Sequence, residues 1–390
     1  MSLHTRTRAI VVGAGIGGLA TAVALRRVGV EVEVYERASE LRPAGFGISV
    51  VSNAVSALRV LGIDLGLEKR GQTIVHTEIM TGDGRTLRSL PIESEGDRLG
   101  APSVAMARGD LHAALLDGLG DQVVRTGAVA TGYERTASGG VRVRFEDGRE
   151  ATGDILIGAD GINSVVRRQR TGDGRPRYGG FLCWLAVTPY EHPRMTTGFN
   201  GHYWGVGKRF GIHDVGHGRA YWWGTINMPV HAARAWNGDK DQIVRAYAGW
   251  ADEVRHAVRI TPVEDIVAVP ALDRPFLEQW GDGPVTLLGD AAHPMLPSLG
   301  QGGSTAIEDA VVLAQCLASH SDPIAALRAY ENTRRERTRF MVETSAKFAG
   351  FEQVENPVLC AVRDAYLRRA PQSVLFAPFQ RALTPQLLGS

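Results

Sequence analysis

A short β-branched run, Arg8 to Val12, ends in glycines, and Leu19 to Val28 then carries apolar residues at helical spacing before Val30 to Tyr35 returns to strand character. Strand, helix and strand in this order predict a βαβ unit. Farther on, Val141 to Phe145 alternates apolar and polar side chains, Asp147-Gly148 supplies a hairpin turn, and Ile155-Leu156-Ile157-Gly158 reads as a buried strand. Val285 to Leu288 predicts another buried strand. It runs into Gly289-Asp290, a loop rich in proline and glycine, and a long apolar helix from Thr305 to about Leu317, opened by Thr305 and Glu308 in a capping-box pattern.

Between these parts, Tyr178 to about Pro262 has a different texture, with alternating strand-like runs and Trp184, Trp204, Trp222 and Trp223. It predicts a mostly antiparallel sheet inserted into the first domain, with the tryptophans chiefly as its core, since aromatic residues favour strands. Past Asp322 the chain reads as helical, with charge-rich stretches such as Arg334 to Arg339. The expected fold class is α/β: a Rossmann-like nucleotide-binding domain, an inserted, mostly antiparallel β-sheet substrate domain, and C-terminal helices. The expected division gives the nucleotide domain 1–75, 101–177 and 271–325, the sheet domain 76–100 and 178–270, and the helical region 326–390.

Composition narrows the function classes. A chain of 390 residues with 44% hydrophobic and 22% charged residues and a formal net charge of +1 is an ordinary globular protein, and its bulk charge implies no nucleic-acid or membrane partner. Four lysines (Lys69, Lys208, Lys240, Lys347) make arginine the default cation, so an isolated arginine says little about phosphate binding. Cys183, Cys316 and Cys360 are too far apart for a disulfide framework or a zinc site. Met1 to Arg8 is polar and basic, and Gly13, Gly15, Gly17 and Gly18 interrupt the apolar run that follows, which argues against a signal peptide. No stretch approaches the ~20 apolar residues of a membrane span, so a cytoplasmic location is expected. No metal is expected: His213 and His217 have no carboxylate at ligand spacing.

Gly13-Ala14-Gly15-Ile16-Gly17-Gly18 fits G-x-G-x-x-G between a strand and a helix. Gly13 permits the tight turn, Gly15 lets a pyrophosphate approach the backbone, and Gly18 allows close packing, while the helix N-terminus offers partial positive charge. Glu36 ends the second strand, where an acidic side chain accepts from ribose hydroxyls and would repel a 2′-phosphate. The bound nucleotide is therefore expected to be FAD or NAD. Two further pieces follow: Gly158-Ala159-Asp160-Gly161, and Gly289-Asp290-Ala291-Ala292-His293-Pro294 with Gly300-Gln301-Gly302-Gly303. Glycines at a helix start expose N–H groups to the negative charge of a reduced flavin.

With these motifs in this order, the sequence resembles the group A, single-component FAD-dependent aromatic hydroxylases, the family of 4-hydroxybenzoate and salicylate hydroxylases, from Gly13 to about Leu317. The resemblance implies that Gly13, Gly15, Gly18, Glu36 and Arg37 bind the ADP half of FAD. It implies that Arg108, in Ala107-Arg108-Gly109-Asp110-Leu111, contacts FAD, and that Asp160 and Gly161 serve FAD and NAD(P)H. Asp290 would bind the ribityl chain, Gly300, Gln301, Gly302 and Gly303 would seat the flavin, and Pro297 would present its carbonyl near the substrate. No second G-x-G-x-x-G follows a strand after Gly18, in keeping with NADH or NADPH as a transient co-substrate. The implied reaction hydroxylates a small aromatic or heteroaromatic substrate with O2 through a C4a-hydroperoxyflavin, the cofactor carrying the hard chemistry.

Within the family, Gly207-Lys208-Arg209-Phe210 and Gly218-Arg219-Ala220-Tyr221 resemble the flavin-dependent urate hydroxylases, which implies that Arg209 and Tyr221 act on the substrate. Both are expected to face one cavity from neighbouring strands, Arg209 meeting a polar or anionic edge and Tyr221 holding or helping to deprotonate a ring hydroxyl. A flavin-dependent epoxidase, a reductase or dehydrogenase, and a non-catalytic binding protein of the same fold are the alternatives. Asp290 and Gly300 to Gly303 argue against the last. A tryptophan-type halogenase would show Gly-Trp-x-Trp-x-Ile-Pro, which Tyr221-Trp222-Trp223-Gly224 does not match. The chain is expected to work as a monomer or homodimer.

Overall fold

The structure, a computed structural model, describes residues 7–41, 46–120 and 123–388; the first six residues of the basic N-terminal stretch lie outside them. Five parallel strands form one sheet in the order Val285–Leu287, Ile155–Gly158, Arg8–Val12, Glu31–Tyr35, Val124–Arg125. The central strands are apolar on both faces because helices cover both, as a parallel sheet requires. The helix Ile16–Arg27 packs on the helix Gly302–Ser319 in one large core with these strands. Ala130–Arg135, Val141–Phe145 and Glu150–Gly153 form an antiparallel meander through the Asp147-Gly148 turn, where Gly148 takes φ +83°.

The second large sheet has seven strands, in the order Val267–Asp273, Arg177–Pro189, Arg219–Asn227, Lys208–Asp214, Phe199–Trp204, His76–Thr81, Thr86–Leu90. It is antiparallel except where Phe199–Trp204 runs parallel to His76–Thr81. The strand Val267–Asp273 carries the sheet past the strand-like texture that ends near Pro262 and crosses the expected domain limit at 270. Period-2 alternation divides the sheet into two faces. Trp184, Tyr203, Phe210, Ile212 and Trp222 point one way and pack with Tyr247, Val254 and Ala257 of the covering helices. The intervening residues face the other way and build the cavity described below. Trp184, Trp204 and Trp222 are buried core, while Trp223 stands on the cavity face.

The apolar helix begins at Gly302, earlier than the expected Thr305, and ends at Ser319. The capping box does not form. Thr305 lies inside the helix, its N–H bonded to the Gln301 carbonyl and its hydroxyl unpartnered, because the flexible glycine pair lets the helix start a turn sooner. Glu308 turns instead toward the 30-residue helix Pro323–Glu352. There Arg334 bonds Glu308 and Asp309, each at 2.7 Å, Arg337 reaches Glu308 at 3.2 Å, and His293 meets Asp309 at 2.6 Å. All five side chains are buried. The charge-rich stretch around Arg334 is thus partly interior, its charges answered across helices. Among the described residues, no helix is long and apolar enough to cross a membrane.

Candidate active site

Three loops meet at the carboxyl ends of three adjacent parallel strands, because Val12 pairs with Gly158 and Gly158 with Leu287. This is where open α/β sheets bind ligands. Gly13 has φ +105°, and a Cβ there would lie 2.4 Å from the Ala159 carbonyl oxygen. A Cβ on Gly18 would lie 1.9 Å from the Gly13 carbonyl oxygen, whereas one on Gly15 would meet nothing within 4 Å. Two glycines therefore close the loop, and the third leaves its backbone open to a ligand. The helix Ile16–Arg27 has no side-chain cap and no acid in its first turn. Its first N–H groups are left to bind an anion. Glu36 stands beside this loop, its carboxylate accepting from the N–H groups of Ala14 at 2.8 Å and Ala38 at 2.9 Å. Arg37 is exposed next to it.

Asp160 accepts from the Val165 N–H at 2.7 Å and caps the following helix, with Gly161 at φ +76° in the turn. Its other oxygen has no partner, and burial raises its pKa. Arg108 opens the helix Arg108–Leu119 and lies 5.5 Å from the Phe46 ring centre. Burial lowers its pKa while the charge of Asp290 raises it. Asp290 opens onto the groove; surrounding protein raises its pKa against His293 and Arg108, which lower it. Gly300, at φ +66°, ends the short Pro297–Leu299 turn, and Gln301, Gly302 and Gly303 start a second helix whose N-terminus has no side-chain cap. These features fit a dinucleotide with a flavin: two uncapped helix starts for anionic groups, an open glycine backbone, and acceptors spaced between them.

Asp290 and Gly300 to Gly303 also border a cavity of about 540 Å³, within the usual range for small-molecule sites. Its opposite wall is the alternate face of the seven-stranded sheet. Arg209, Gly211 and His213 on one strand lie directly across from Thr225, Trp223 and Tyr221 on the next. Asn200 and His202 follow on the third strand. A Cβ on Gly211 would lie 1.9 Å from the Trp223 ring, so the missing side chain lets that indole lie flat across the sheet. His202 and His213 meet Trp223 edge-on, with ring centres 5.4 and 4.7 Å away. Gly47 serves Tyr221 in the same way, for a Cβ there would lie 2.2 Å from its ring.

The sheet thus brings Arg209 and Tyr221 onto one face, but their ladder positions are four residues apart, roughly 13 Å along the strands. Trp223 stands between them, and His213 lies directly across from Tyr221. Arg209 is not a free cation: it is buried and paired at 2.5 Å with Glu352, the last residue of the long helix. Burial holds the Tyr221 phenol well above its ordinary pKa. A phenol held in its protonated form can donate a hydrogen bond. The Pro297 carbonyl accepts the Gly300 N–H at 3.0 Å, leaving one lone pair for a ligand.

Sequence reasoning missed Asn200, His202 and Trp223 as parts of this wall and Glu352 as the partner of Arg209, and considered His213 only beside His217. His217 lies in the exposed turn with φ +59°, away from the buried His213. Strand alternation could have put His202 and Asn200 on one face, but only strand register puts them beside His213. Burial, with the positive charge of Arg209, lowers the His202 pKa to about 3, and burial with His202 lowers that of His213, so both rings are neutral. Ser49 meets the His213 Nδ1 at 3.3 Å, while neither ring nitrogen of His202 has a partner among the described residues.

The profile described as FAD binding domain matches residues 6–345. The chain is 37% identical over 366 residues to aurachin C monooxygenase/isomerase of Stigmatella aurantiaca, covering 94% of this chain and 95% of the relative. It is 32% identical over 384 residues to 2-heptyl-3-hydroxy-4(1H)-quinolone synthase of Pseudomonas aeruginosa strain PAO1, covering 96% and 97%. The crystal structure of Klebsiella pneumoniae HpxO with FAD and uric acid superimposes with a TM-score of 0.91 at 30% identity, covering 98% of each chain.

Proposed function

The chain belongs to the FAD binding domain family and is an FAD-dependent monooxygenase, and on that premise we propose that it hydroxylates an uncharged nitrogen heteroaromatic ring with NAD(P)H and O2. The observation that carries the charge class is the buried Arg209–Glu352 pair, which answers the one cationic side chain that borders the cavity among the described residues. With His202 and His213 neutral and Tyr221 protonated, the sheet wall carries no net charge. An anionic ring bound there would add an unpaired buried charge, which is costly. A neutral ring can lie against Trp223, with its ring N–H or carbonyl bonded to the unpartnered nitrogens of His202. The 4(1H)-quinolone in the name of one relative is a neutral nitrogen heteroaromatic of this kind, and the uric acid held by another is a nitrogen heteroaromatic that is anionic at neutral pH.

In this proposal the pyrophosphate of FAD lies at Gly13, Gly15 and Gly18, with Glu36 on the adenosine ribose and Arg37 at its edge. Arg108, Asp160 and Gly161 flank the middle of the groove, Asp290 accepts from the ribityl chain, and Gly300 to Gly303 hold the flavin ring. The flavin, when bound, supplies the electron acceptor for NAD(P)H and the activation of O2. The protein's share is to hold the substrate ring beside that loop, through Trp223, His202, the Tyr221 hydroxyl and the free lone pair of the Pro297 carbonyl, and to exclude water.

A second reading, an anionic ring on Arg209, has one observation in its favour: burial raises the Glu352 pKa, and a proton on Glu352 would free the guanidinium. Both are tested by NAD(P)H oxidation and product formed per NAD(P)H with 2-methyl-4(1H)-quinolone, urate and salicylate. The quinolone is expected to stimulate oxidation with efficient product formation, and salicylate to do neither. Coupled turnover of salicylate or urate, both anions at neutral pH, with none of the quinolone would overturn the proposal in favour of the anionic reading.

A further inference from the structure

The cavity continues beyond the polar wall. Past Tyr221 its lining changes to Ile74, Leu90, Ile92, Phe379 and Leu383. These residues come from parts of the chain separated by nearly three hundred positions, yet Ile74, Leu90, Ile92 and Leu383 are buried in one hydrophobic cluster, against which Tyr221 and Phe379 pack. The apolar end is therefore continuous with the ring site. Thr77, the polar side chain bordering it, already accepts from Asn200 at 3.3 Å. We propose that this apolar end is a subsite for a hydrocarbon arm carried by the substrate ring.

The inference rests on the heteroaromatic reading and adds a second part to the substrate. The reacting ring has to stand by Asp290 and Gly300 to Gly303, across from Trp223. A ring without an arm would leave the walls beyond Tyr221 without apolar contact, and apolar walls discriminate only in favour of apolar occupants. The wall supplied by the C-terminal helix Gln372–Leu383 is fixed, not a loose flap. Arg337, buried in the long helix, donates to the carbonyls of Ala382 at 2.7 Å and Thr384 at 3.0 Å, and Gln301 of the flavin loop reaches the Ala382 carbonyl at 3.5 Å. The subsite is thus held in fixed relation to the loop where the ring reacts.

The test measures binding to the oxidised, FAD-loaded enzyme, followed by perturbation of the flavin spectrum, for 4(1H)-quinolones bearing methyl, propyl, pentyl and heptyl groups at C2. Each added methylene placed against the apolar wall is expected to tighten binding on the order of fourfold. In Leu383→Trp, whose larger ring fills the subsite, that chain-length dependence is expected to collapse; in Leu383→Met it is expected to persist. A flat series in the parent protein overturns the subsite and leaves the ring class standing. An unchanged dependence in a folded, FAD-loaded Leu383→Trp protein assigns the gain to partitioning elsewhere and also overturns it. Failure of every quinolone to bind overturns both.

Discussion

At the residue scale, the side chains that hold the loops together are also those proposed to meet the cofactor. Glu36, just past the strand Glu31–Tyr35, accepts from the N–H of Ala14 in the glycine loop and from the N–H of Ala38. In the proposed site, replacing it with alanine removes the acceptor for the adenosine ribose, and a hydrogen bond to a charged group contributes about 1.5–3 kcal/mol. Glu36→Ala is therefore expected to weaken FAD binding by roughly one to two orders of magnitude, with the far-ultraviolet circular dichroism unchanged, as read by fluorescence titration of the apoprotein with FAD. Unaltered FAD affinity would remove Glu36 from the site. Arg209 shows the opposite case. Its residue type suggests an anion receptor, but Glu352 claims the charge before any substrate arrives.

At the element scale, the cavity wall depends on where the sheet omits side chains. Gly211 lies across from Trp223, and the indole occupies the volume its Cβ would need. A methyl group there must lift the ring off the strand, since the obstructing atoms are a rigid aromatic and not the end of a flexible chain. Gly211→Ala is expected to keep FAD bound, because the nucleotide loops lie on the other sheet, but to raise KM and divert NAD(P)H oxidation toward hydrogen peroxide as the ring is held less well. Peroxide and product quantified together provide the check. Full coupling with an unchanged KM would show that the position of Trp223 does not matter to the substrate. Gly47 under Tyr221 is the same device, supplied by a strand of the small sheet Gly47–Val50, Val104–Ala107, Gln72–Thr73.

At the scale of the whole molecule, the helix Pro323–Glu352 connects the parts of the site. At about 1.5 Å rise per residue it is on the order of 45 Å long. Arg334 and Arg337 along it hold the helix that begins at the flavin loop and the C-terminal helix that walls the apolar subsite, and Glu352 at its end answers Arg209. Burial alone would raise the Asp309 pKa, yet His293 and Arg334 hold it below the usual carboxylate value, and Arg334 is itself shifted upward by Glu308 and Asp309. Removing one member of such a buried set leaves the others uncompensated, typically at a cost of about 3–5 kcal/mol. Arg334→Met is expected to lower the Tm of both the apo and the FAD-loaded protein, measured by calorimetry, and to weaken FAD binding through the displaced Gly302 helix. A variant as stable as the parent would mean that these charges are not energetically coupled.

Much of the cofactor side was legible in the chain itself. A left-handed turn at Gly13, an uncapped helix start after Gly15, and short apolar strands ending in glycine are consequences of local backbone freedom and hydrophobic period, which neighbouring residues encode. Those local rules also identified the inserted sheet and put Arg209 and Tyr221 on it. They misjudged the start of the Gly302 helix, where the glycine pair was read as loop. Local period could not show that Glu352 neutralises Arg209, that His202 and His213 meet beside Trp223, or that Leu383 closes a cavity against Ile74 and Leu90. Those neighbours are set by strand register and helix docking, where residues far apart in the chain share one buried surface. The kind of cofactor was therefore written in local motifs, while the charge and shape offered to the substrate were decided by the packing of the whole chain.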